Sequence, residues 1–277
     1  MREISCLKII SLISGIILMS DIYALEIVAH RGECTLAPQN SLPAFKKAWA
    51  GGVKTIEADF YATKEGEIVC MHAQQDLKNL TGLDKPVEDL AKDDLATADL
   101  GSAPEWSAFK GTRIPLMDDV LATIPAYGKI YFEIKGYDGG LYEKKIKAAM
   151  QKYNLKPSQI VFISFNAKFL EDILKRLPEH EAYLIYSIKD EPDLRLSYVE
   201  AKLKKMPIKG VDASNSPLLT AEYVAKVKAR GLRFCVWTVN DIERAKELAK
   251  MGVDAVTTNI ASAMRNALQK DPSLNVE

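Results

Sequence analysis

The feature that most restricts the fold is a regular alternation of two patterns along almost the whole chain. Nine short runs rich in β-branched and aromatic residues stand at 26–31, 54–61, 67–72, 129–135, 160–165, 182–187, 208–213, 233–239 and 253–258. Between most of them lie amphipathic segments with their own start and stop signals. Ser41 caps a helix that puts Phe45, Ala48 and Trp49 on one face and ends at Gly51-Gly52. Asn166 caps a second, with Phe169, Leu170, Ile173, Leu174 and Leu177 at helical spacing before Pro178. Thr220 and Asp241 cap two more, closed by Gly231 and Gly252. Capping residues before an apolar period and glycine or proline after it mark helix ends, and strands alternating with helices imply β/α units on a parallel sheet.

Nine strands are one too many for an eight-fold barrel, and the surplus has a local explanation. Only Ala62-Thr63-Lys64-Glu65-Gly66 separates the second run from the third, whereas a parallel crossover needs about a dozen residues or more. The spacing therefore predicts a hairpin, with Gly66 supplying the positive φ of its turn. Eight parallel strands remain, and the chain reads as a (β/α)8 TIM barrel with a hairpin and an insertion, 73–128, after the second strand. If Lys64 pairs with Glu67, paired positions sum to 131, and Asp59 stands opposite His72 on one face.

Composition removes several alternatives. The 277 residues are 48% hydrophobic and 27% charged, which suffices for a sizeable core and does not fit a disordered chain. Lys+Arg and Asp+Glu are both 37, so the chain lacks the basic excess of a generic nucleic-acid binder. Residues 1–24 read as a secretory signal: Arg2 and Lys8, an apolar run over Ile9 to Met19, then Ala24 as the cleavage point. The expected product is an exported protein, periplasmic or secreted, with no membrane span after cleavage and one domain over 25–277. Three cysteines then remain, Cys34, Cys70 and Cys235; they allow at most one disulfide and read as small packing residues.

In a TIM barrel the catalytic groups sit at the C-terminal ends of the strands. Those positions hold His30 and Arg31 after the first strand, Glu57 and Asp59 late in the second, and Glu133 and Lys135 at the end of the third parallel strand. Period-2 alternation puts Glu57 with Asp59, and Glu133 with Lys135, on common faces. Three converging carboxylates repel one another unless they are protonated or bind a cation, and oxygen-only ligation suits Ca²⁺ or Mg²⁺. Arg31 and Lys135 supply charge for an anionic group. His30 and His72 are side chains that titrate near neutrality and suit opposite proton-transfer roles. The set describes phosphate-ester cleavage. His180, among acidic neighbours, reads as a solvated loop residue; Trp237, at a strand end, reads equally as core or as a substrate wall. The basic run at 144–147 reads as a solvated helix face, and Asp254 as structural.

The chain resembles the glycerophosphodiester phosphodiesterases, of the phospholipase C-like barrel class. The resemblance is carried by Ala29-His30-Arg31-Gly32, Pro38-Gln39-Asn40-Ser41, Ile56-Glu57-Ala58-Asp59 and Val69-Cys70-Met71-His72. It continues through Ile114-Pro115-Leu116, Phe132-Glu133-Ile134-Lys135, Val236-Trp237-Thr238-Val239-Asn240 and Gly252-Val253-Asp254-Ala255-Val256-Thr257. It implies hydrolysis of a small glycerophosphodiester to glycerol 3-phosphate and an alcohol. It also implies a divalent cation on Glu57, Asp59 and Glu133, acid/base work by His30 and His72, and substrate or phosphate contacts from Arg31, Lys135, Trp237 and Asn40.

Three positions depart from the family pattern. Gln39 stands where the family usually has Glu, Ala73 where an Asp follows the histidine, and Asn259 where an Asp follows the C-terminal threonine. If the absent Asp normally orients His72, Asp59 or Asp76 must replace it. Two other functions keep the same fold: hydrolysis of a different phosphodiester, of sugar or lysophospholipid type, and an exported protein that binds phosphodiesters without cleaving them.

Overall fold

The computed structural model describes residues 24–189, 192–203 and 206–277; the expected signal segment lies outside them, apart from Ala24. Eight strands form a closed parallel barrel: β1 (Glu26–Ala29), β2 (Thr55–Ala62), β4 (Lys129–Gly136), β5 (Ile160–Ser164), β6 (Glu181–Tyr186), β7 (Gly210–Ser214), β8 (Arg233–Trp237) and β9 (Ala255–Thr258). Pairing of β1 with both β2 and β9 closes the ring. The ninth strand, β3 (Ile68–Cys70), runs antiparallel to β2. It pairs with the last residues of β2, beyond the two that meet β1, so the hairpin extends above the barrel rim.

The hairpin register differs by one from the expected sum of 131. Phe60 faces Cys70, Tyr61 faces Val69 and Ala62 faces Ile68. The turn explains the shift: the Thr63 amide donates to Glu67 and the Gly66 amide to Thr63, giving a three-residue loop that ends in a left-handed glycine, φ 81°. Asp59 consequently meets Met71, whose amide donates to the Asp59 carbonyl at 3.0 Å. His72 lies past the end of β3, in the turn before helix α2 (Gln74–Thr81).

The four expected caps form. The Ser41, Asn166, Thr220 and Asp241 side chains accept amides at the starts of Leu42–Ala50, Ala167–Arg176, Ala221–Lys228 and Ile242–Lys250. Segment 73–128 carries α2, two further short helices (Lys92–Thr97 and Met117–Leu121) and two 3₁₀ turns. Val69, Met71, Leu77, Leu80, Val87 and Leu100 form a separate apolar cluster between this segment and the hairpin. That packing fixes the start of α2 against the rim.

Alternation inside the barrel sorts the strand side chains into layers. Ile56, Ala58 and Phe60 pack outward against the helices, as do Ile130, Phe132 and Ile134; Glu57, Asp59, Tyr131, Glu133 and Lys135 therefore point inward. The floor is polar and centred on the buried Glu26. Glu26 accepts from Thr55, Lys129, Tyr131 and Arg233, joining β1, β2, β4 and β8. Burial pushes the Glu26 carboxyl up, but Lys129 and Arg233 outweigh it and hold the group below its ordinary range. Above the floor lie Val28, Tyr131, Val161, Tyr183 and Cys235, and above these the candidate site.

His180 differs from the expected solvated residue. It is buried, with its ring 5.2 Å from that of Phe162. Cys70 and Cys235 are buried, Cys34 is half-buried, and all three are free thiols.

Candidate active site

One cavity of about 150 Å³ opens at the C-terminal end of the barrel, and its wall includes His30, Arg31, Glu57, His72, Glu133, Lys135 and Trp237. Seven of the nine residues expected at a site thus share one space. Asp59, level with Glu133 in the strand register, is buried and off that wall, as is Asn40. The Asn40 side-chain amide donates to Asp59 Oδ2 at 2.8 Å, and its carbonyl accepts the Asp59 backbone amide at 3.2 Å and the Cys70 thiol at 3.3 Å. Asn40 therefore orients a carboxylate; its φ is 55°, and its backbone amide donates to the Arg31 carbonyl at 3.0 Å.

Glu57, Asp59 and Glu133 each offer an oxygen, and the three atoms lie within 4.8 Å of one another. Glu57 Oε1 has no hydrogen-bond partner among the described residues. Asp59 Oδ1 and Glu133 Oε1 meet the Lys135 ammonium at 3.2 and 2.7 Å. Burial, reinforced by the two neighbouring carboxylates, raises the Glu57 carboxyl well above its usual range. Burial and Asp59 raise Glu133 to about 8. For Asp59 burial also acts upward, but Lys135 and Arg31 outweigh it and keep the group ionised. Three buried acids with oxygens turned toward one point, two of them destabilised as anions, fit a hard divalent cation, which would let all three ionise.

Arg31 ties this cluster to the far side of the cavity. Its backbone amide donates to Glu57 Oε2 at 2.9 Å, and its guanidinium stands 3.3 Å from Asp59 Oδ2. The same guanidinium donates to Gln39 Oε1. The φ of Arg31, 56°, is followed by one of 79° at Gly32, where a Cβ would fall 2.7 Å from the Ala44 backbone. Only glycine lets this loop lie on the first helix.

Each histidine is held through Nδ1. His30 Nδ1 lies 2.6 Å from Asn259 Oδ1; an amide oxygen only accepts, so Nδ1 carries the hydrogen and Nε2 the lone pair in the neutral ring. Burial, then the nearby Arg31, pushes the His30 imidazole down to about 4. His72 Nδ1 lies 2.6 Å from Asp76 Oδ2. Asp76, in the first turn of α2, thus stands in for the acid that Ala73 lacks. The hydrogen bond from His72 lowers the Asp76 carboxyl, and so does that from Gln39 Nε2, which donates to Oδ1 at 2.9 Å. Gln39 accepts from Arg31 and donates to Asp76, a pair of bonds a glutamate could not make.

The chain belongs to the glycerophosphoryl diester phosphodiesterase family, whose model matches residues 30–262. That membership makes it a phosphodiester hydrolase with the acidic cluster of a metal-dependent family. A glycerophosphodiester phosphodiesterase from Caldanaerobacter subterraneus is 28% identical over 252 residues, covering 88% of this chain and 98% of that one. An Oleispira antarctica phosphodiesterase, solved with the product sn-glycerol-3-phosphate, superposes with a TM-score of 0.76 at 25% identity, covering 89% of this chain and 97% of its own. A glycerophosphodiester phosphodiesterase from Parabacteroides distasonis has the same fold, with a TM-score of 0.69 at 21% identity over 90% of this chain and 98% of its own.

Sequence reasoning did not single out five residues of the cavity wall: Ile163, Phe165, Ile185, Asp212 and Thr257. Phe165, just past β5, meets Trp237 edge-on with ring centres 5.5 Å apart. Asp212, on β7, is also on the wall; the signal available was a lone acid between Val211 and Ala213 near a strand end.

Proposed function

We propose that the protein hydrolyses glycerophosphodiesters to glycerol 3-phosphate and an alcohol, with Ca²⁺ or Mg²⁺ on Glu57, Asp59 and Glu133. The observation that carries this reading is the placement of His30 and His72 on one cavity beside the three-carboxylate cluster. The cation supplies Lewis-acid stabilisation of charge on the phosphoryl oxygens; Arg31 and Lys135 add fixed positive charge there.

His30 suits the base. Its ring is neutral at physiological pH and its Nε2 lone pair is free, so it takes the proton as a glycerol hydroxyl attacks phosphorus. His72 suits the acid: its Nδ1 is held by Asp76, which leaves Nε2 to carry the proton to the departing alcohol oxygen. The P–O bond to that alcohol breaks as the bond to the glycerol oxygen forms, leaving a cyclic phosphate. Water then opens the ring with the two histidines in reversed roles, and glycerol 3-phosphate leaves.

The test is release of glycerol 3-phosphate from purified protein given glycerophosphodiesters of several headgroups. Activity is expected to disappear with chelator and to fall ~10²-fold or more in His30→Ala. Turnover that survives exhaustive chelation would rule the metal-dependent reading out. Export is supported by Arg2, Lys8 and the apolar run that follows, and a mature N-terminus at Leu25 in the exported fraction checks it. Among the described residues no helix is long and apolar enough to cross a membrane.

A further inference from the structure

The proposed reaction leaves one ionisable side chain of the cavity wall without a role. Val211 and Ala213 pack outward, so the alternation of β7 turns Asp212 into the barrel. It is 2% exposed, it lines the same cavity as His30 and Glu57, and its Oδ1 has no hydrogen-bond partner among the described residues. Burial pushes the carboxyl up to about 8, and in its protonated form it presents one O–H donor and one carbonyl acceptor.

The cavity wall carries charged and apolar side chains together. Ile185 stands level with Asp212 on the neighbouring strand, and Phe165 meets Trp237 edge-on while its ring centre lies 5.8 Å from the Lys135 ammonium. The Trp237 indole is fixed beside Asp212, since its Nε1 donates to the Asp212 carbonyl oxygen at 3.2 Å. An unpaired buried carboxyl lowers stability, and groups so perturbed in a cleft mark function. A small polyol matches this wall: its C–H faces cover aromatic rings, and its hydroxyls both donate and accept. A cationic headgroup matches less well, because the Lys135 ammonium already stands over the Phe165 ring.

We infer that Asp212 is a specificity-determining residue, which hydrogen-bonds a hydroxyl of the substrate's glycerol moiety while Trp237 and Phe165 cover its carbon chain. The inference rests on the proposed hydrolysis only in taking glycerol as the polyol.

Binding of products, which needs no turnover, tests it separately from that hydrolysis. Calorimetric Kd values are measured with Ca²⁺ for glycerol 3-phosphate, propyl phosphate and phosphocholine, on wild type, Asp212→Asn and Asp212→Leu. Wild type is expected to prefer glycerol 3-phosphate over propyl phosphate ~10-fold or more. Asp212→Leu, which matches the neighbouring Ile185 and is expected to fold, loses that preference. Asp212→Asn, which keeps a donor and an acceptor, retains most of it. An unchanged preference in Asp212→Leu overturns the inference, as does equal binding of the first two ligands by wild type. So does tighter binding of phosphocholine by wild type with Asn behaving like Leu, which would assign the acid to a cation. Wild-type turnover of a diester, assayed alongside, reports on the hydrolysis itself.

Discussion

Asp212→Asn should stabilise the protein, and the size of the effect follows from the burial of one carboxyl. In the unfolded chain Asp212 ionises near 3.8, whereas in the barrel it holds its proton up to about 8. A group whose folded pKa is raised contributes stability that is complete below the unfolded value and is lost as pH rises toward the folded one. Wild type therefore loses stability steadily between pH 3.8 and about 8 through this residue. Near pH 7 about three of those units have been crossed, which at 1.36 kcal/mol each amounts to ~4 kcal/mol. Asparagine has the same shape and no proton to lose, so the variant lacks this slope. For a chain of this size that difference corresponds to a melting temperature higher by ~10 °C at neutral pH. The gap should close below about pH 4, where the wild-type carboxyl is protonated in both states. Scanning calorimetry of both proteins from pH 4 to 8 measures it. Parallel curves across that range would refute the reasoning, because they would mean that Asp212 ionises as freely inside the barrel as outside.

Two further outcomes follow from the same site. Asp76→Ala removes the acceptor 2.6 Å from His72 Nδ1 and should lower kcat ~10- to 100-fold with little change in KM, water replacing part of the lost bond; steady-state release of glycerol 3-phosphate checks it, and a wild-type kcat would remove Asp76 from the mechanism. Added Ca²⁺ or Mg²⁺ at about 100 times its Kd should stabilise the protein by ~2.7 kcal/mol, and Glu57→Gln, which removes an anionic ligand, should abolish that thermal shift.

The barrel was legible because its signals are local. Ser41, Asn166, Thr220 and Asp241 each stand just before an apolar period, and each caps a helix. The inward set Glu57, Asp59, Glu133 and Lys135 followed from alternation alone. The hairpin register was not legible to one residue, since loops of two or three residues fit the same Lys64-Glu65-Gly66 string and only the Thr63–Glu67 pairing chooses between them. Asp76 carried a usable signal, four places after His72 where a helix begins. His180 was misread because a polar residue in a loop-like stretch says nothing about whether the chain then turns inward. Asp212 was passed over because attention to charged pairs at strand ends neglects a lone acid.

The Gln39 bridge constrains how this sequence is able to drift. Its carboxamide is polarised in one sense only, oxygen toward Arg31 and nitrogen toward Asp76, so the acid at 76 and the amide at 39 form a matched couple. Restoring a glutamate at 39 by itself would set two anions face to face beside a proton donor, and removing Asp76 by itself would strand the amide. Changing either position without the other therefore leaves a polar group unmatched at the mouth of the barrel.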